Sequence, residues 1–411
     1  MSQWDFDAII LGAGAAGLMA AIHSAERGRR VLLLEKSKKP GVKILMSGGT
    51  RCNITHDCDH RGIIQAFGTN GKFLHSPLAA FGVRDTLAFF HAEGVQTKVE
   101  DTGKIFPVSD RAIDVLNALL ARLHRAGVKP SLAEAATHVE AIPEGGFRVA
   151  TAQRNITCEH LLITTGGLSY PGCGTTGDGY NFAKQFGHTI TATSPALVPV
   201  TVNADWTKEL QGVTMPDISL KVIENAKPIS SRRGSLLFAH FGLSGPAPLD
   251  VSRAISSHAV PKSLLLQVDF IPTIHEQEFD LFVSTETHAR GKQLLAGILS
   301  EKLPRRVCDV LIQQAGLAVD RRAAALSKPD RYQLVSAIKR MQMPLRGTLG
   351  FEKAEVTAGG VLLDEVDSRT MQSKLKPGLF FAGEVLDLDG WIGGYNFQSA
   401  WSTGWLAGKS I

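Results

Sequence analysis

The chain has 411 residues, 44% hydrophobic and 20% charged, which is the composition of a globular protein of two or three domains and excludes a disordered chain. Its 44 Lys and Arg stand against 39 Asp and Glu, and a net charge of +5 with no basic run longer than pairs such as Arg232-Arg233 does not call for a nucleic-acid partner. Five cysteines (Cys52, Cys58, Cys158, Cys173, Cys308) are too few and odd in number for a secreted disulfide scaffold, the leader is acidic, and no apolar run reaches the ~20 residues of a membrane span, so a cytoplasmic protein without membrane attachment is expected.

In chain order, residues 6–11 read as a short apolar strand, 12–17 as a Gly-rich turn, and 18–27 as a helix stopped by Gly28. Residues 31–34, Val-Leu-Leu-Leu, read as a strand buried on both faces. A Gly-rich loop spans 46–53. Residues 76–126 read as mainly helical with a break near Asp101-Thr-Gly103. A further buried strand ends in Thr165-Gly-Gly167, and Gly177-Asp-Gly179 opens a helix. From about residue 190 Pro-rich, alternating segments predict antiparallel β-structure, followed by helices over 276–341. The buried-strand texture returns at 378–383, ahead of a helix from about Asn396 to Gly408. This order predicts an α/β fold. One Rossmann-like nucleotide-binding domain (1–190 and 351–411) is interrupted by a β-rich insertion (191–275, with a return strand near 342–350) and a helical insertion (276–341).

The strongest local signal is Gly12-x-Gly14-x-x-Gly17 between strand and helix, with Glu35 at the end of the next strand. Gly12 permits the turn, Gly14 admits a pyrophosphate to the backbone, and Gly17 allows close helix packing. The phosphates then meet free N–H groups and the positive dipole end of the helix, and Glu35 accepts from a ribose hydroxyl. Two further features favour FAD over NAD. Ser47-Gly-Gly-Thr-Arg-Cys-Asn53 offers backbone N–H groups and the Arg51 charge to an extended anion. At the far end, Gly383-Glu384 and the helix start at Gly393-Gly-Tyr-Asn-Phe-Gln398 supply a carboxylate for ribityl hydroxyls and N–H dipoles for the flavin's pyrimidine edge. The candidate cofactor contacts are Gly12, Gly14, Ala15, Ala16, Gly17, Glu35, Lys36, Ser47, Gly48, Gly49, Arg51, Cys52 and Asn53 near the start. Ala136, Thr165, Gly166, Gly167, Gly383, Glu384, Asp387, Gly394, Tyr395, Asn396 and Phe397 complete the set.

On these motifs the chain resembles the BaiN/RdsA family of NAD(P)/FAD-dependent oxidoreductases, which includes aminoacetone oxidase-like flavoproteins. The resemblance runs through Ile105-Phe-Pro-Val-Ser-Asp110, Thr165-Gly-Gly-Leu-Ser-Tyr-Pro171, Gly174-Thr-Thr-Gly-Asp-Gly-Tyr180, His240-Phe-Gly-Leu-Ser-Gly-Pro246, Val356-Thr-Ala-Gly-Gly-Val361 and Gly383-Glu-Val-Leu-Asp-Leu-Asp-Gly390 to the Gly393 block. It implies an FAD-binding domain interrupted by a β-barrel-like and helical insertion. It fixes a cofactor and leaves the reaction open. A second Gly-rich fingerprint for NAD(P)H is missing, so NAD(P)H is expected only as a transient electron donor.

Catalytic candidates are His240 and Ser244, held in a loop fixed by Gly242, Gly245 and Pro246, with Lys43 near the flavin and Tyr395 lining the pocket. Cys52, His56, Cys58 and His60 lack the paired spacing of a zinc site, and no metal is expected. The expected reaction carries a hydride from NAD(P)H through flavin N5 to an unsaturated small molecule. The alternatives are a flavin amine oxidase that yields peroxide and a flavin-bearing binding or regulatory protein. Nucleic acid is not an expected partner.

Overall fold

The structure, a computed structural model, describes residues 3–411; Met1 and Ser2 of the acidic leader lie outside them. It divides into two units, Met1–Ser194 with Glu355–Ile411, and Pro195–Ala354.

In the first unit, β1 (Phe6–Leu11) is an apolar strand whose last four residues are buried. It leads through the Gly-rich turn into α1 (Ala15–Ala25) and then β2 (Val31–Glu35). β1 lies between β2 and the strand Asn155–Ile163, parallel to both, in the registers Ala8↔Val31 and Ala8↔His160. Leu379–Phe381 adds a parallel strand to Asn155–Ile163, so the far end of the chain completes a sheet begun at its start. Two antiparallel strands, Phe147–Thr151 and Ala136–Ala141, extend one side, which makes the seven-stranded sheet mixed.

The terminal helix Tyr395–Ser410 crosses α1 at close range. A methyl group on Gly404 would stand 2.4 Å from the Ala16 carbonyl oxygen, and one on Gly408 would stand 2.5 Å from that of Ala20. Small residues at this crossing let the two backbones touch.

The stretch 76–126 departs from the helical expectation in one place. Between the helices Val83–Ala92 and Ala112–Arg125 lie two strands, Thr97–Val99 and Lys104–Pro107, which form a small antiparallel sheet with Thr55–His56. Strands of two to four residues carry no readable alternation, and it is pairing with a distant segment that holds them extended.

The second unit contains a closed barrel. Its strands run in the order Val200–Val202, Gly242–Ser244, Lys227–Ala239, Thr214–Glu224, Leu265–Asp269 and Met341–Thr348, with the ring closed by Val200↔Thr348. Period-two burial drives it: Ile218, Leu220 and Val222 are buried while Lys221 and Ser219 between them are not. The helices Glu276–Ala289, Arg305–Gln314 and Lys328–Lys339 share its core through Phe279, Val283, Leu311, Leu334 and Ile338. Charge divides unevenly. Pro195–Ala354 carries 20 Lys and Arg against 15 Asp and Glu, and the other unit carries 24 against 24, so the whole net charge of +5 belongs to the barrel unit. Among the described residues, no helix is long and apolar enough to cross a membrane.

Candidate cofactor site

The three fingerprint glycines have three different surroundings. Gly12 has φ +104°, and a methyl group there would meet the Thr164 carbonyl oxygen at 2.7 Å. A methyl on Gly17 would fall 1.9 Å from the Gly12 carbonyl oxygen, so only glycine lets α1 pack on the turn. A methyl on Gly14 would meet nothing within 4 Å. That open face adjoins the first turn of α1, which no side chain caps, and the N–H groups at Ala15, Ala16 and Gly17 belong to it.

Glu35 ends β2. Its Oε2 accepts from Ala13 N–H at 2.9 Å and its Oε1 from Ser37 N–H at 2.7 Å, which fills two of its roughly four acceptor positions. Backbone bonds from Ala133 to Ser37 and from Glu134 to Glu35 draw the segment before Ala136 alongside the end of β2. Lys36 turns to another partner set and donates to Thr176 Oγ1 at 2.5 Å and Asp178 Oδ2 at 2.6 Å.

The second loop breaks the helix α2 (Val42–Thr50). Ser47 is extended, and Gly48 and Gly49 take φ of 56° and 67°. A methyl on Gly48 would press on Phe106 at 2.9 Å. The sequence reading aimed the Arg51 charge at an anionic ligand. In the structure its guanidinium pairs with Glu100 at 2.7 Å and Asp110 at 3.4 Å and lies 3.9 Å over the Phe106 ring. Cys52 is buried, and burial pushes its thiol up to about 12. Asn53 ties this loop to the far end of the chain: its amide donates to the Thr55 and Ile105 carbonyls and accepts from Gly394 N–H at 3.0 Å.

The C-terminal segment is braced by close approach. Gly394, at φ +94°, leaves room for no side chain, since a methyl would lie 2.5 Å from the Thr55 carbonyl group. Tyr395 is buried and stacks on His56 with ring centroids 4.5 Å apart. Burial lowers the pKa of His56, whose Nδ1 lies 2.9 Å from the Gly393 carbonyl oxygen. Asn396 closes the preceding loop, accepting from Gly390 N–H at 2.8 Å and donating to its carbonyl at 2.9 Å. Phe397 stacks on Trp401. Gly383 has φ +76° and donates its N–H to Thr403 Oγ1, while the Asp387 carbonyl accepts from Asn70 Nδ2.

Glu384 is the centre of a network. Its Oε2 accepts from Lys43 Nζ at 2.5 Å, and its Oε1 accepts from Ser169 Oγ at 2.6 Å and from Thr357 N–H at 3.0 Å. Lys43 also donates to Ser169 Oγ at 2.7 Å. Ser169 and Thr357 escaped the sequence reading; both lie in family motifs quoted there, but neither residue type announces such a role. Gly166 and Gly167 pack tightly against Thr175 and Thr357. Thr165 Oγ1 and the buried Tyr180 hydroxyl have no hydrogen-bond partner among the described residues. Burial raises the pKa of Tyr180, reinforced by Glu384 and Asp387.

Two catalytic candidates lie in the barrel unit. His240 is exposed at the turn between Lys227–Ala239 and Gly242–Ser244, with its ring against Phe241 at 4.8 Å. Ser244 stands opposite Leu237 on the short strand.

The open face at Gly14, the uncapped start of α1 and the unpartnered Thr165 hydroxyl fit an extended dinucleotide, and the bracing of both chain ends suits FAD. Fold and site define an FAD-dependent oxidoreductase of the Rossmann type. The family model for the HI0933-like protein Rossmann domain matches residues 6–410, and the chain belongs to that family.

Among curated relatives, the chain is 38% identical over 409 residues to a ribosomal RNA dihydrouridine synthase of Escherichia coli K12, covering 99% of this chain and 98% of that one. It is 31% identical over 410 residues to a 3-dehydro-bile acid delta(4,6)-reductase of Clostridium scindens, covering 98% of each. Among solved structures, a 3-ketosteroid-delta4-(5alpha)-dehydrogenase from Rhodococcus jostii RHA1 aligns over 100% of this chain and 98% of that one. Its TM-score is 0.56 at 15% identity, a likeness of fold. The first relative corrects one expectation. Net charge argued against nucleic acid, yet a full-length relative is named for ribosomal RNA. A whole-chain charge hides the concentration of that charge in one unit.

Proposed function

We propose that this protein reduces the C5=C6 double bond of a uridine in ribosomal RNA, with NAD(P)H as the electron source. The carrying observation is the 38% identity, over 99% of the chain, to a ribosomal RNA dihydrouridine synthase. The bile-acid relative supports the reaction class. A 3-oxo-Δ4 steroid and a uracil both present an alkene conjugated to a carbonyl, so one hydride and one proton complete either reduction. The charge of the barrel unit supports the substrate class, because basic groups meet the phosphate backbone whatever the sequence.

When bound, FAD supplies the hydride. The protein's part is placement and electrostatics. Gly14 and the first turn of α1 receive the pyrophosphate, and Glu35 and the segment at Ala136 receive the adenosine end. Glu384, steadied by Lys43 and Ser169, keeps an acceptor position for a ribityl hydroxyl. The start of the terminal helix at Gly394 directs N–H groups at the pyrimidine edge. Reduction also needs a proton at the carbon beside the one that takes the hydride, the kind of transfer an imidazole such as that of His240 can perform. Ribosomal RNA and reduced nicotinamide both belong to the cytoplasm, and five free thiols fit that compartment.

The test incubates the FAD-loaded protein anaerobically with NADH or NADPH and ribosomal RNA from cells lacking the gene, then measures dihydrouridine in the nucleoside digest by mass spectrometry. Product that requires the nicotinamide supports the proposal. Flavin reduced by the nicotinamide with no dihydrouridine formed refutes the RNA substrate. Flavin that stays oxidised with both nicotinamides refutes the donor.

A further inference from the structure

We propose that Phe241, at the tip of the barrel hairpin, is a stacking contact for a nucleobase of single-stranded RNA; this rests on the RNA reading above. The hairpin Lys227–Ala239 to Gly242–Ser244 closes at the pair Ala239↔Gly242, leaving His240 and Phe241 as its two turn residues. Turns of this length favour Gly, Asn and Asp, whose small polar side chains suit the backbone and the water around it. Two rings stand here instead. Phe241 is 38% exposed and belongs to neither hydrophobic core, and its ring contact is His240.

Among the described residues the other exposed large aromatic is Tyr332, which Lys328 and Arg331 already cover. The Phe241 tip is also held firmly. Gly242, at φ +143°, sits so close to the neighbouring strand that a methyl would fall 2.3 Å from the Val200 carbonyl oxygen. A partly exposed ring outside both hydrophobic cores, on a hairpin tip held by the close packing at Gly242, offers an aromatic surface to a planar ligand.

Charge selects the ligand. The barrel unit holds the whole net charge of the protein. Arg306 Nη1 donates to the Gln211 carbonyl at 3.2 Å, and the next residue, Gly212, donates its N–H to Phe238, three residues before Phe241. No salt bridge occupies that guanidinium among the described residues. Single-stranded nucleic acid is met by basic groups that take phosphate and by exposed aromatic rings that take bases, and this unit carries both.

The experiment compares the FAD-loaded wild type, Phe241→Ala and Phe241→Trp. Each is titrated against labelled oligouridylate and against a base-free ribose-phosphate strand of the same length, by fluorescence anisotropy. Loss of a stacked base is expected to weaken oligouridylate binding about 10- to 100-fold in Phe241→Ala. Binding of the base-free strand is expected to stay unchanged, and Phe241→Trp is expected to keep the preference for bases. Equal loss on both strands, or an undiminished preference in Phe241→Ala, overturns the proposal. Dihydrouridine formation by the same wild-type preparation is scored separately. Base-selective binding without product overturns the reductase reading and leaves the stacking contact standing; product with an unaltered Phe241→Ala does the reverse.

Discussion

Lys43 Nζ lies 2.5 Å from Glu384 Oε2, although 341 residues separate them in sequence. The pair joins the first turn of α2 to the segment just after the strand Leu379–Phe381, and both side chains are largely withdrawn from solvent, at 30% and 18% exposure. Replacing Lys43 with Met leaves the Glu384 carboxylate with its neutral donors alone. A lost hydrogen bond to a charged group costs about 1.5–3 kcal/mol. The expected result is a lower urea midpoint and less FAD retained through gel filtration. An unchanged midpoint and flavin content would deny the pair its bridging role.

The fingerprint glycines separate folding from binding. Gly17→Ala drives a methyl into the Gly12 carbonyl oxygen and is expected to cost ~3 kcal/mol or more, read as a collapse of thermal stability in the apoprotein. Gly14→Ala meets nothing in the protein and sits at an ordinary φ of −81°. Its apoprotein is expected to melt with the wild type while FAD binds at least tenfold more weakly, about 1.4 kcal/mol. Wild-type flavin affinity in Gly14→Ala would place the pyrophosphate elsewhere.

The helix crossing allows a separate test. Gly404→Leu forces α1 and the terminal helix apart at Ala16 and is expected to lose at least ~2 kcal/mol of stability in denaturant unfolding. Gly297→Leu, where an added methyl meets nothing within 4 Å, is the control.

Acid stability carries a signature of His23. Its ring is buried among Phe81, Phe89 and Trp405, and burial lowers its pKa from 6.5 to about 4 even with Glu26 at 3.2 Å. The unfolded chain binds this proton near pH 6.5 and the folded protein only near pH 4, so in that window the unfolded state holds more protons. The stability is complete above pH 6.5 and is lost as pH falls through about 4. His23→Phe removes the titration and a ring nitrogen, Nε2, that has no partner among the described residues. The melting temperature of that variant is expected to fall less steeply between pH 6.5 and pH 4; a slope equal to the wild type's would assign the acid loss to other groups.

How far the sequence could be read depended on the range of the interaction. The glycine fingerprint, Glu35 and the apolar strands at residues 6–11 and 31–34 were legible because backbone geometry and burial on both faces act through neighbouring residues. The barrel strands were legible as β-structure from their alternation, and family motifs supplied the closure. Residues 97–107 were not, because pairing with Thr55–His56 decides their conformation. Partner choice among charged groups was also hidden. Arg51 looked free beside a Gly-rich loop, and only folding brought Glu100 and Asp110 to it.

By itself, then, the sequence determined a dinucleotide-binding α/β domain made from both chain ends, since each of its signals is a local rule about turns, helix starts or burial. Tertiary structure decided the rest: that Gly14 alone of the three fingerprint glycines faces open space, and that Lys43 and Glu384 brace each other. The physical reason is that open space and ion pairing depend on distances between residues far apart in the chain, and only the folded backbone sets those distances.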